Sequence, residues 1–286
     1  MTTLLDTHYH YDFLPPQART VFLNEIAEAG VEIVAQTLTP SGFIALETEE
    51  KRRVETSSLA STRTDGSTQP SSPSGQRLSV GFHPWNIGPD CQRELDIFAQ
   101  ALTRTRFVGE VGLDYVPRRL QQVPADIQAE VFRRILEIVA SQRGGGPYVI
   151  SIHAVRSVNQ VLDALEVTDT SGMVPIFHRF GGTSDELTRL IKHGGYISVN
   201  PAMLSTKRGR AYVAQVPADR LLLETDLPER KEAGGNLEKN HARELIEVLN
   251  ATVNMIATLR HQDLGELASH IIRTAQQLYG TRPAGS

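Results

Sequence analysis

The 286-residue sequence predicts an α/β protein of the (β/α)8, or TIM, barrel class, with its chemistry at the C-terminal ends of the strands. Three observations predict it. Short β-rich runs alternate with amphipathic, helix-like segments, the rhythm of a parallel sheet with right-handed crossovers. Eight such units in roughly 230 residues is the count that closes a barrel. Polar residues gather at the ends of these runs, and a barrel would carry them all to one face.

The runs follow in order. "LLDTHYH" (4–10) starts on Leu4 and Leu5 and then alternates by face, with Asp6, His8, His10 and Asp12 toward the barrel axis. Thr7, Tyr9 and Tyr11 point toward the outer helices. The next runs are "VEIVAQTL" (31–38), "LSVGFH" (78–83), "FVGEVGLD" (107–114) and "YVISIH" (148–153). "VPIFHRF" (174–180), "GYISVN" (195–200) and "RLLLETD" (220–226) complete the set. Helical periodicity covers 17–29, 92–104, 126–142, 157–166, 184–193 and 207–215, then 240–260 and 263–279. A doubly wound open sheet would call for a Gly-rich first turn. The first turn here is "HYHYDFLPP".

One region departs from the rhythm. Residues 47–77 run from "ETEEKRR" into a Ser-, Thr-, Gly- and Pro-rich stretch nearly free of apolar residues. It reads as a flexible surface insertion between the second and third strands of a single domain spanning 1–286.

Composition narrows the class. A hydrophobic fraction of 40% is ample for a large core. The net charge of −4 provides no global basic field, so nucleic-acid contact would need a local patch or bound metal. The single cysteine, Cys91, excludes an internal disulfide and a Cys-rich zinc cluster. No signal-peptide pattern and no membrane-length apolar run is read, so the expected location is cytoplasmic, with no membrane partner.

The polar residues carry the chemistry. His8 and His10 lie two apart on one strand, so both can grip the same metal ion. With His83, His153 and His178 they make five of nine histidines at strand C-termini. Asp226 ends the last strand, where a metal-bound aspartate can also handle a water's proton. Glu110, midway along the chain, could bridge two ions, whose mutual repulsion a shared anion relieves. His193 reads as a helix-end residue, and His241, His261 and His270 as solvated.

At this point the residues resemble a known family. "DTHYHYD" (6–12), "GFHP" (81–84), "GEVGLDY" (109–115), "SIH" (151–153), "FHRFGG" (177–182), "YISVNPAM" (196–203) and "LLLETDLP" (221–228) occur in the order found in TatD-related metal-dependent hydrolases. These form a branch of the amidohydrolase-like barrels. The resemblance implies a two-metal site, sometimes with a third ion. His8, His10 and Asp226 would hold one ion, His153 and His178 the second, and Glu110 would bridge them. His83 matches a histidine near the scissile phosphate or a further metal. Many related barrels bridge their ions with a carboxylated lysine. None of the five lysines here falls in an expected strand, which leaves Glu110.

The implied activity is metal-dependent phosphodiester hydrolysis, as a deoxyribonuclease on single-stranded or terminal DNA, with RNA a further substrate. Asp226, Glu110 and His83 would be catalytic. The metal could be Zn, Mn or Mg. An alternative is a D-aminoacyl-tRNA deacylase or other ester hydrolase using the same site. A second, of another class, is a non-catalytic metal-binding interaction protein. The mouth loops lean basic at Arg118, Arg119, Arg156, Arg179, Lys207, Arg208 and Arg210. Of these, Arg156, Arg179, Lys207 and Arg208 are the expected substrate contacts. The chain departs from the family pattern at Val155, Arg179, Gly181 and Thr274, which removes no ligand but alters the substrate surface.

Overall fold

A computed structural model describes residues 3–61, 76–142, 146–231 and 239–280. Eight parallel strands, β1 to β8 in chain order, close into a barrel in that same order. They are β1 (Leu4–Tyr9), β2 (Val31–Gln36), β3 (Gln76–Phe82), β4 (Phe107–Asp114), β5 (Tyr148–Val155), β6 (Met173–His178), β7 (Tyr196–Val199) and β8 (Leu221–Leu223). The helices are α1 (Pro16–Glu28), α2 (Pro40–Ser61), α3 (Cys91–Ala101), α4 (Pro117–Leu120), α5 (Ala125–Ser141) and α6 (Val158–Val167). Then come α7 (Ser184–Lys192), α8 (Pro201–Ser205), α9 (Lys207–Gln215), α10 (His241–Arg260) and α11 (Leu264–Tyr279). Among the described residues, no helix is long and apolar enough to cross a membrane.

Local chemistry sets the boundaries. Proline opens α1 and α8, where its missing N–H has no partner to lose. The Thr183 and Glu186 side chains form a reciprocal capping box at the start of α7. The main core lies between strands and helices. Tyr9 stacks on Phe22 of α1 with ring centroids 5.1 Å apart, as the face assignment of the first strand requires. A smaller cluster joins Leu5, Val34, Val149, Ile176 and Leu222 to Leu278 and Tyr279, so the end of α11 plugs the barrel where its strands begin.

The structure differs from expectation in three places. Residues 47–61 belong to α2 rather than to a flexible insertion. Thr39 caps that helix by accepting from the Gly42 N–H at 3.0 Å, and Phe43 and Leu46, one turn apart, bury beneath it. Residues 76–77 open β3, and 62–75 lie outside the described residues. The last strand stops at Leu223, so Asp226 sits on the loop beyond it. His241 is buried at 5% exposure rather than solvated.

The seam between β1 and β8 is made largely by side chains. Direct strand pairing is limited to Asp6 opposite Leu223. The Asp6 carboxylate accepts from the Thr225 hydroxyl at 2.5 Å and the Thr225 N–H at 3.2 Å. The Thr7 hydroxyl donates to the Leu223 carbonyl, and the Asp226 N–H donates to the His8 carbonyl.

Candidate metal centre

Six side chains converge at the C-terminal mouth, organised by Glu110. Its two carboxylate oxygens face different histidines. Oε2 lies 3.5 Å from His8 Nε2 and 3.8 Å from His10 Nε2. Oε1 lies 2.8 Å from His153 Nδ1, 2.9 Å from His178 Nε2 and 3.4 Å from His83 Nε2. Asp226 Oδ1 completes the first side, 3.3 Å from His10 Nε2 and 3.8 Å from His8 Nε2.

The strands reach this geometry through backbone that few sequences allow. Gly112, two residues beyond Glu110, has φ +141°, and a Cβ there would lie 2.0 Å from the His153 carbonyl oxygen. Glycine at this point lets β4 and β5 approach closely enough for Glu110 and His153 to meet.

The cluster is buried, and its charges answer one another. Burial raises the Glu110 carboxyl, but His83, His178 and His8, with the hydrogen bond from His153, outweigh it and hold the group well below its usual range. Burial opposes charge on His178, yet Glu110 and Glu224 hold its pKa well above the ordinary value. His8 is lowered by burial and by neighbouring His178. Burial takes His83 down to about 4, so its ring is neutral near pH 7. Asp226 is pulled down by His10, His8 and His178 against the effect of burial.

These residues fit divalent metal. His8 Nδ1 is hydrogen-bonded to the Ser151 hydroxyl at 2.9 Å. Its Nε2 points into the cluster, fully buried and without a hydrogen-bond partner. A buried lone pair left so is costly unless something else binds it. Three sets bring one donor atom each within 4.8 Å of one another: His8, His178 and Asp226; His8, His10 and Glu110; and His83, Glu110 and His153. His83 was expected near the scissile phosphate or a further metal. Here it stands beside Glu110 and His153, 2% exposed. No lysine lies on a strand.

Several supporting residues were not expected. Asp114 Oδ2 lies 3.3 Å from His153 Nε2 and accepts from the Trp85 indole N–H at 2.6 Å. Glu224, fully buried, faces His178 Nδ1 at 3.7 Å. It accepts from the Asn200 amide, the Arg179 N–H and the Ser198 hydroxyl. The signal for Glu224 was in the sequence: an acid directly after three leucines, in "LLLETD". Of the expected substrate contacts, Arg179 donates to Asp226 Oδ2 at 2.7 Å, and Arg156 lines the adjoining cavity. Arg208 reaches the Gly181 carbonyl, and Lys207 is exposed at the start of α9.

A family model for TatD related DNase matches residues 5–280. The chain belongs to the TatD-related DNase family. Among its relatives, the deoxyribonuclease Tat-D of Schizosaccharomyces pombe is 34% identical over 124 residues, covering 42% of this chain but 37% of that protein. The metal-dependent hydrolase YabD of Bacillus subtilis is 26% identical over 208 residues, covering 70% and 76% of the two chains. The 3′-5′ ssDNA/RNA exonuclease TatD of Erwinia tasmaniensis is 28% identical, covering 60% and 65%. Solved structures share the TatD fold. A TatD family hydrolase from Entamoeba histolytica superposes with a TM-score of 0.73 at 15% identity, over 98% of this chain and 99% of that one. The TatD homologue YjjV from Escherichia coli gives 0.71 at 22% identity, again over 98% and 99%.

Proposed function

We propose that this TatD-family chain is a metal-dependent phosphodiester hydrolase, a deoxyribonuclease acting on single-stranded or terminal DNA. The observation that carries this reading is Glu110, whose two oxygens divide five buried histidines between them at the mouth of the barrel. His8, His10 and Asp226 would hold one ion, His153 and His178 a second, and Glu110 would bridge them. Divalent ions there would supply Lewis acidity toward the phosphate and activate water.

The protein's own groups do the rest. Asp226 orients the attacking water and accepts its proton on the carboxylate. Its Oδ2 is steadied by Arg179, leaving Oδ1 toward the histidines. His83 acts as a hydrogen-bond donor. Its Nδ1 accepts the Trp85 main-chain N–H at 3.1 Å, so the neutral ring carries its proton on Nε2. That N–H stabilises charge on the leaving oxygen, which takes its proton from solvent. Asp114 and Glu224 fix the rings of His153 and His178.

The test is a metal-by-substrate screen on chelator-stripped protein, with Mg, Mn and Zn against single- and double-stranded DNA and RNA. Asp226→Ala should abolish hydrolysis while circular dichroism stays native. Full turnover by that variant, stripped and reloaded, would sink the scheme.

A further inference from the structure

Beside the histidine cluster lies a cavity of about 420 Å³. His153 and His178 form its inner wall, and Trp85, Arg118, Arg119, Arg156, Arg179 and Asp114 contribute to its lining. Four arginines and one acid therefore line it, in a chain whose net charge is −4. Asp114 is already committed to the Trp85 indole, the Val116 N–H and His153.

The four arginines are not alike. Arg179 is paired with Asp226. Arg119 lies flat on Trp85, its guanidinium carbon 3.7 Å from the ring centroid, and donates to Gln122. Arg118 and Arg156 make no hydrogen bond or ion pair among the described residues. Arg156 also holds φ +57° and Arg179 φ +48°, each in the left-handed region that glycine takes without strain. These two residues follow closely on the strand residues His153 and His178. The chain keeps a long cationic side chain at both positions in spite of the backbone cost, and strain of this kind collects at ligand sites.

The geometry points to a subsite for the terminal nucleotide of the substrate, built to take a phosphomonoester rather than an internal diester. This rests on the phosphodiesterase reading and deepens it. An internal phosphodiester carries one negative charge. A phosphomonoester near pH 7 carries about 1.5 to 2, on three acceptor oxygens. Arg118 and Arg156 supply two unopposed forks for it, and guanidinium–phosphate pairs are commonly bidentate. The cavity is at the small end of ligand pockets, about the size one nucleotide needs. Trp85 gives it an aromatic wall, 43% exposed and held in place by Asp114 and Arg119. A base can stack on the ring face that Arg119 leaves uncovered.

The experiment has a binding arm and a kinetic arm. In the first, full-length protein in chelator is titrated with a nucleoside and with its 3′- and 5′-monophosphates, by calorimetry. Trp85 is the single tryptophan, so its emission reports whether ligand enters this cavity. The monophosphates should bind at least about tenfold more tightly than the nucleoside. The Arg118→Gln, Arg156→Gln double variant, altered at two exposed and unpaired side chains, should lose that margin. The tighter of the two isomers names the end that is read. Equal affinity for nucleoside and nucleotides, or a margin the double variant keeps, overturns the subsite.

In the kinetic arm, metal-loaded protein is given oligonucleotides ending in phosphate or hydroxyl at either end. A preference of about tenfold in kcat/KM for one phosphorylated end, falling toward one in the double variant, supports the proposal. Equal rates on all four ends overturn it. Failure to cut any of them counts against the phosphodiesterase reading, and the binding arm then decides the subsite by itself.

Discussion

The two ends of this barrel each carry an arginine-lined cavity, and they use the same residue in opposite ways. At the end where the strands begin, Arg77, Arg104 and Arg106 line a cavity of about 320 Å³. Each is engaged. Arg77 pairs with Glu32 and donates to the Tyr279 carbonyl. Arg104 pairs with Glu47. Arg106 donates to the carbonyls of Pro147, Leu278 and Gly280 and lies over the Phe107 ring. Arg77 and Arg106 satisfy carbonyls at the end of α11 and hold its plug in place. At the other end Arg118 and Arg156 have no partner among the described residues. What separates a structural arginine from a ligand-seeking one is therefore the acceptor beside it. Barrels commonly keep stability at the first end and chemistry at the second.

That contrast can be broken most forcefully at Glu110. Glu110→Gln should cost about a thousandfold or more in turnover, equivalent to about 4 kcal/mol. The metal-free protein should lose stability as well, because the buried histidines lose the carboxylate that answers their charge. Near-parental turnover in the reloaded variant would erase the part given to Glu110.

The converse change is Arg106→Ala. It leaves three carbonyls without their donor and should lower stability by about 2 kcal/mol, with kcat per folded molecule unchanged. Denaturant titration and active-site-normalised rates check both halves. A smaller effect is expected at Glu224, which touches no ligand atom facing Glu110. Glu224→Gln should weaken metal binding by about tenfold, read by competition with a coloured chelator.

The smallest expected effect concerns acid. Burial raises the Asp114 carboxyl, but His153, the Val116 N–H and the Trp85 indole together bring it down to about 2. A carboxyl lowered in the folded state stabilises above its unfolded pKa near 4, and that contribution is lost as pH falls from about 4 to about 2. The carboxyl is buried, but its titration is shared with His153, which limits the effect to about 1 kcal/mol. Asp114→Asn should flatten the stability curve across that window. Unfolding midpoints measured from pH 5 to pH 2 would show an unchanged slope if Asp114 plays no such part.

The barrel and the residues at its mouth were legible because both leave short-range marks. Strand–helix alternation is a local pattern, and His8 and His10 announce themselves by spacing alone. Asp114, Glu224 and Ser151 were harder, because their roles depend on which strand lies beside which. Ser151 meets His8 only once β5 and β1 face each other across the barrel. The α2 helix was overlooked between residues 47 and 61 because its charged outer face is conspicuous, while Phe43 and Leu46 mark its buried face near the start. The arginines at the plug cannot be told from those at the mouth by composition, since their acceptors, carboxylates and main-chain carbonyls alike, lie far away in sequence.

The seam between β1 and β8 has a consequence in time. Asp6 and Thr225, which stitch it, are 219 positions apart in the chain. A ribosome adding about 5–20 residues per second needs about 10–40 seconds to cover that interval. His8 and His10 emerge first and wait through nearly all of synthesis for Asp226. A chain cut short before β8 has neither a closed barrel nor an assembled mouth. The machinery that would cut nucleic acid is thus absent from the nascent polypeptide for most of the time it is tethered to its own messenger.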